Sequence, residues 1–341
     1  MKKALWILCI CAMLFSLASC SAAVPTSTMA EIDDLTPSQG LKFTYANGAY
    51  SLSGIGSCTD TVIVIPEKFN NRPVKAIAER AFFDNNKIEA VYLPKSIESI
   101  GESAFHLCTS LETVVFAEDG ALKTIGKSAF RSCTALTSLT FPQSLERIGE
   151  GAFYWCNGIE GIYFAADSRL QSIGEGAFFW CTELSRISIP SSVTTIEKDA
   201  FDQCTRLMSV FIEDTAAWCK INFANSTANP LCAGSKLYVN GVLAEHIVIS
   251  EGATSIGKYT FKGLTNLKSI TVASTITSIA RGAFSTCEAL ESVTFADADG
   301  WKCGENDGAT RGFALSSINL ANPTTAATFL QDTYSDYYWF K

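Results

Sequence analysis

Apolar residues recur in a fixed order down this chain. Between positions 122 and 141 they are Leu122, Ile125, Ala129, Phe130, Cys133, Leu136, Leu139 and Phe141. The order returns as Leu145, Ile148, Ala152, Phe153, Cys156, Ile159, Ile162 and Phe164, and again from Leu170 to Ile189. Two local periods are embedded in it. The stretch L-x-x-V-x-F ends in strict alternation, the period of a short strand with one buried face. Pro94, Pro142 and Pro190 follow it, and a residue without an amide hydrogen ends the strand. The stretch G-x-x-A-F-x-x-C fits a single helical turn with Ala, Phe and Cys turned inward. One unit alone cannot bury its apolar face. Units stacked about 4.8 Å apart bury a continuous column of each residue type.

Ala-Phe pairs mark the repeat at Phe82, Phe105, Phe130, Phe153, Phe178, Phe201 and Phe284, with Thr260-Phe261 as a variant. The phenylalanine spacings are 23, 25, 23, 25, 23, 60 and 23 residues. Periods of this size mean stacked supersecondary units. Alternation of 23 and 25 gives a 48-residue superperiod, as duplication of repeat pairs leaves behind. The two extra residues fall in one loop, where Ala117–Gly120 and Ala165–Ser168 replace the shorter Pro-led turns. Glycine follows the repeat Ile at 101, 126, 149, 174 and 257, but Ala78, Glu197 and Ala280 stand there in other rungs. Positive φ is therefore not required, and the position reads as a tight corner where small residues fit.

A solenoid must cover its ends. Residues 41–73 read as an N-terminal β cap, with a hairpin turn at Asn47-Gly48. Repeats fill 74–212 and 247–296, and 297–341 read as a C-terminal cap supplied by Phe329-Leu330 and Tyr334–Phe340. The 60-residue gap places an irregular insertion at 213–246. Trp218 lies six residues after Ile212, as Trp301 lies six after Phe295. The stretch reads as a degenerate, insertion-bearing repeat or as a ligand-binding loop.

The chain opens with Lys2 and Lys3, an apolar run Ala4–Ala18, and then Leu17-Ala18-Ser19-Cys20. The run is short for a membrane span and suits a signal segment. Its end resembles the lipobox of bacterial lipoproteins, which implies removal of 1–19 and lipidation of Cys20. Residues 20–40 then read as the lipidated cysteine and a flexible tether. The repeats resemble the BspA-type leucine-rich repeat of bacterial surface proteins over about residues 41–341. That resemblance implies a right-handed α/β leucine-rich-repeat solenoid, curved, with strands on one face. It would hold about eight regular rungs, caps and one irregular insertion. It also implies export, a lipid anchor on the bacterial envelope or surface, and a non-enzymatic role in adhesion or recognition.

Composition sharpens this. Hydrophobic residues make up 48% of 341, enough for a large interior. The net charge of −8 becomes more negative by two when Lys2 and Lys3 leave. An acidic surface without basic clusters excludes nucleic acid as a partner. Cys108, Cys133, Cys156, Cys181, Cys204 and Cys287 all lie three residues after a repeat Phe, and Leu264 fills the same place. Exchange with Leu marks a core site, so these thiols are expected to stay reduced, inert and metal-free. Cys58, Cys219, Cys232 and Cys303 lie outside the column, and a Cys219–Cys232 bridge stays open. His106 stands at a variable repeat position and His246 has no catalytic motif around it. No cofactor, metal or catalytic constellation is expected.

The partner surface is then the outward row of the strands. Its last position runs Tyr92, Val115, Thr140, Tyr163, Ser188, Phe211, Thr271, Thr294, and the row before it includes Arg186. Tyr92, Tyr163, Arg186 and Phe211 are the binding residues this row offers to an extracellular protein or glycan. Strand propensity alone also explains most of the row. A structural envelope lipoprotein without a soluble ligand is the alternative, and in either case a monomer is expected.

Overall fold

The computed structural model describes residues 35–341 apart from 166 and 307. Cys20, the 1–19 segment and the tether up to residue 34 lie outside the described residues.

The chain winds as a leucine-rich-repeat solenoid whose rungs pair residue for residue. The L-x-x-V-x-F strands form the front ladder. Ser138–Phe141, Gly161–Phe164, Arg186–Ser188, Ser209–Ile212 and Lys236–Val239 lie parallel in one sheet. Val62–Val64, Ala90–Leu93 and Thr113–Phe116 form a sheet before it; His246–Val248, Ser269–Val272 and Ser292–Phe295 form one after it. The register sets Leu139 beside Ile162 and Ile187 beside Val210. A one-residue slip would turn this whole set to solvent, which fixes the pairing.

A second ladder runs along another side, where strands on one face alone were expected. Its members are the two-residue pairs Ser99–Ile100, Thr124–Ile125, Arg147–Ile148, Ser172–Ile173, Thr195–Ile196 and Asn222–Phe223. It starts from the hairpin Lys42–Ala46/Ala49–Gly54 through Arg72–Ile77, and Asn47 and Gly48 both take positive φ at the hairpin's turn. Two alternating residues are too few to stand out in a sequence, so only the repeat Ile advertises each strand.

The third side differs from the single helical turn expected there. Residues four apart adopt left-handed φ in rung after rung: Ser103 and Leu107, Ser128 and Ser132, Gly151 and Trp155, Gly176 and Trp180. The amides of Ala104, His106 and Cys108 close tight turns onto Gly101, Ser103 and Phe105. Those of Ser103, Phe105 and Leu107 donate instead to Lys127, Ala129 and Arg131 of the next rung, at 2.7–2.9 Å. A helix would spend every amide on itself. Here alternate amides tie rung to rung, so few backbone donors are orphaned.

The inward side chains behave as read. Ala104, Phe105 and Cys108 are fully buried, as are their counterparts at 129, 130 and 133. The repeat phenylalanines stack from Phe82 to Phe201, with centroids 4.9–5.4 Å apart and planes within 16°. Each such pair contributes about 0.5–1.5 kcal/mol beyond its area. The corner glycines at 101, 126, 149 and 174 have ordinary φ. Their need is space: a Cβ on Gly126 would lie 2.8 Å from the carbonyl carbon of Gly101, and one on Gly149 2.7 Å from that of Gly126.

The stretch 213–246 contributes one strand to each ladder. Asp214 caps a short helix, Thr215–Lys220, by accepting from the Ala216 amide. Asn222–Phe223 then extends the second ladder and Lys236–Val239 the front one. Trp218 is buried and donates from Nε1 to the Thr260 carbonyl at 2.9 Å. Asn229, also buried, donates to the Tyr259 carbonyl at 2.6 Å. Both ladders nevertheless break here: the front one ends in the hairpin to Val242–Leu243, and the second resumes separately at Ser255–Ile256. At the far end Tyr338–Phe340 pairs with Ser278–Ile279 and Lys302–Gly304. Trp301, Leu330 and Trp339 are buried there, and Gln331 donates to the Cys287 and Leu290 carbonyls at 2.6 and 2.8 Å.

Candidate binding surfaces

The front ladder presents the expected row, with one correction. Tyr92 is only 9% exposed and packs with Val64, Ala117 and Leu35. The cause lies outside the repeats. Ser38 donates its amide to the Val64 carbonyl at 2.9 Å, and its Oγ accepts from the Val64 amide at 3.1 Å. This closes the free edge of the first strand and brings Leu35 over Tyr92. Residues read as part of a polar tether gave no sign of that contact, so Tyr92 leaves the set of accessible anchors.

Tyr163, Arg186 and Phe211 share one sheet. Tyr163 lies down along its own strand: a Cβ on Gly161 would meet its Oη at 2.7 Å and its Cε2 at 2.9 Å. Arg186 stands directly across from Gly161 in the register and is exposed. Phe211 is paired with Tyr238, the rings stacking at 4.9 Å and 22°. Tyr238 was missed because the 60-residue gap hid its rung. The signal was Lys236–Val239, K-L-Y-V, which repeats the inward-outward order of S-V-F-I at Ser209–Ile212.

The turn side carries a second aromatic group. Tyr154 and Phe179, each next to a repeat Phe, stack at 4.9 Å and 8°. Trp155 and Trp180 follow them, edge to face at 5.9 Å, and are 46% and 41% exposed. The Arg131 guanidinium lies 4.4 Å over Tyr154. Nearer the N-terminus, Arg80 covers Phe83 at 3.8 Å and Phe83 meets His106 edge to face. Burial, with Arg131 and Arg80 beside it, holds His106 below its ordinary 6.5, so it is neutral at pH 7.

The family model for the BspA type leucine rich repeat region matches six copies, over residues 58–160, 118–228 and 234–304. The chain belongs to that family. Among solved structures it is similar to a Treponema pallidum (T. pallidum) leucine-rich repeat protein at 22% identity, TM-score 0.48, over 68% of this chain and 90% of that one. A leucine-rich repeat protein from Bacteroides ovatus is 25% identical, TM-score 0.46, over 76% and 70% of the two chains. A leucine rich cell surface protein from Faecalibacterium prausnitzii is 21% identical, TM-score 0.33, over 77% and 94%. No curated protein matches.

In this BspA-type chain the cysteine column has a specific bond. Each thiol donates to the carbonyl of the preceding rung's phenylalanine: Cys108 to Phe82 at 3.1 Å, Cys133 to Phe105 at 3.1 Å, Cys156 to Phe130 at 2.9 Å. Cys181, Cys204 and Cys287 repeat the contact at 3.0–3.3 Å. The same carbonyls accept the amide three residues on, so the thiol takes the second lone pair. Burial pushes the Cys108 and Cys287 thiols up to about 12, and raises Cys133, Cys181 and Cys204 as well. Protonated thiols are poor nucleophiles and poor metal ligands. Cys219 and Cys232 are free thiols, not a bridge. Cys219 is buried with a raised pKa, whereas His246 is exposed and bonded to Ser269 Oγ at 2.7 Å.

Proposed function

We propose that this protein is a non-enzymatic binding protein, anchored to the bacterial envelope through Cys20, that offers its front sheet to an extracellular protein or glycan. The observation that carries the reading is the Phe211–Tyr238 stack, outward on a parallel sheet and flanked by exposed Arg186 and Lys236. Rigid aromatic anchors with a cationic rim are the usual composition of a binding hot spot, because little side-chain freedom is lost on contact. The BspA-type scaffold supports a surface role, and no helix among the described residues is long and apolar enough to cross a membrane.

The test is binding of the purified chain to matrix proteins, mucins and partner-cell surfaces, beside a Tyr163→Ala/Phe211→Ala/Tyr238→Ala variant. Saturable binding that weakens at least tenfold in the variant supports the sheet face. Binding indifferent to the variant rejects that face, and no binding at all favours a purely structural envelope role. Fractionation of producing cells checks the anchor: Cys20→Ser should move the chain out of the membrane fraction, and an unchanged distribution rejects lipidation there.

A further inference from the structure

Nothing in the core explains the aromatic group on the turn side. Tyr154 and Phe179 occupy a position held elsewhere by Phe83, His106, Arg131, Asp202, Lys262 and Ser285, and Trp155 and Trp180 one held by Leu107, Ser132 and Gln203. All these rungs close the same way, so the fold accepts almost any side chain there. Both tryptophans also sit at left-handed φ, 61° and 60°, a conformation bulky side chains rarely adopt. Two successive rungs thus present large rings where the fold asks for none.

The indole nitrogens make a second, independent observation. The buried tryptophans each donate from Nε1: Trp218 to Thr260, Trp301 to Asp297 and Trp339 to Tyr334, at 2.9–3.1 Å. Trp155 and Trp180, 46% and 41% exposed, make no such bond among the described residues. The rings are fixed before any ligand arrives, by the Tyr154–Phe179 stack, the Arg131 contact and the Trp155–Trp180 edge. Preorganisation of this kind removes the ordering cost of binding.

Charge narrows the occupant. The same two turns carry the exposed carboxylates of Glu150 and Glu175, the first paired with Lys127 at 2.8 Å. Lys127 and the Arg131 guanidinium over Tyr154 balance these two charges, so in a chain of net charge −8 the face holds no excess of cations to draw in a phosphate, sulfate or carboxylate group. A ligand must therefore be uncharged, offer a flat C–H face to the rings, and carry hydroxyls at its rim for the indole N–H groups and carboxylates. It must also extend, since the rings recur once per rung along the stack. A neutral sugar chain meets all four conditions. We propose that Tyr154, Trp155, Phe179 and Trp180 form a stacking platform for an uncharged polysaccharide, its chain running along the rungs.

This deepens the binding-protein reading on a separate face, and the sheet-face variant keeps the two apart. The full chain is titrated with neutral oligosaccharides (gluco-, manno-, xylo- and N-acetylglucosamine series) by calorimetry and tryptophan fluorescence. Binding should strengthen from disaccharide to hexasaccharide, protect tryptophan from acrylamide quenching, and fall at least tenfold in Trp155→Ala/Trp180→Ala. The Tyr163→Ala/Phe211→Ala/Tyr238→Ala variant should bind sugar as the parent does. Trp155→Phe/Trp180→Phe should keep part of the affinity, which separates stacking from loss of fold. No binding to any neutral series, binding unchanged in the alanine variant, preference for sulfated or sialylated chains, or capture of proline-rich peptide instead of sugar would each overturn the proposal. Loss of sugar binding only in the sheet-face variant would overturn this site and leave the sheet-face reading standing.

Discussion

A free cysteine is a liability wherever oxidants reach it, unless its thiol is kept from reacting. In the column it is the right size, it reaches a carbonyl lone pair that Ala or Leu would leave unused, and its burial resists ionisation. The exchange with Leu264 was readable as a core site, and the fold agrees. The bond to the preceding phenylalanine carbonyl was not readable, because it links residues 26 or 28 positions apart. The chemical consequence is measurable. At pH 8 the six column thiols of the native chain should be silent toward iodoacetamide for hours, while denaturant exposes them all. Mass spectrometry that finds Cys133 or Cys181 alkylated in the native state, or oxidised in denatured fresh protein, would contradict the column. Tyr92 shows the opposite limit: its position on the strand was legible, its burial was not, since the residues that cover it precede every repeat.

The corner and the turn set the limits at the scale of elements. Periodicity located both, and it named the residues that face inward. It gave the wrong backbone for the turn, because Ala, Phe and Cys spaced by one and three positions suit a helical turn and a pair of left-handed turns equally. Only the neighbour's carbonyls decide between them, and a single rung does not show its neighbours. The corner glycines now carry a specific expectation. A Cβ on Gly126 meets three backbone atoms of the preceding rung within 3 Å, whereas on Gly257 the nearest atoms stand at 3.3–3.4 Å. Gly126→Ala should therefore destabilise by about 1–3 kcal/mol, the usual cost of overpacking, and Gly257→Ala by well under that. Urea midpoints for the two variants check it, and equal losses would refute a space-based role.

At the scale of the whole molecule the stack has a seam. Phenylalanine stacking stops at Phe201 and resumes at Phe261–Phe284, and both ladders break over the same stretch. The apolar core runs through the seam, with Trp218, Ile221, Leu231, Ile247 and Ile256 in one cluster, and a small set of polar bonds ties the two parts across it: Trp218 Nε1 to Thr260, Asn229 to Tyr259, and Thr215 Oγ1 to the Val248 carbonyl at 3.0 Å. In a one-dimensional array the weakest interface governs cooperativity. Asn229→Ala should split unfolding in urea into two steps, with Cys287 becoming reactive before Cys133. A single step with both thiols exposed together would show that the seam is as strong as the rungs. The sequence marked this seam as a 60-residue gap but read too little structure into it, because its turn lacks the Ala-Phe pair that marks the other rungs.

The 48-residue pairing has an evolutionary meaning. Phe105–Phe130 and Phe153–Phe178 stack almost alike, at 4.9 Å and 2° against 5.4 Å and 6°. The loop pattern also returns every second rung. Loss or gain of one such pair by unequal crossing-over joins surfaces that already match, and it shortens or lengthens the molecule by about 10 Å without a new fold. The length of the stack is thus a quantity that selection can adjust in fixed steps, while the ends and the seam stay as they are.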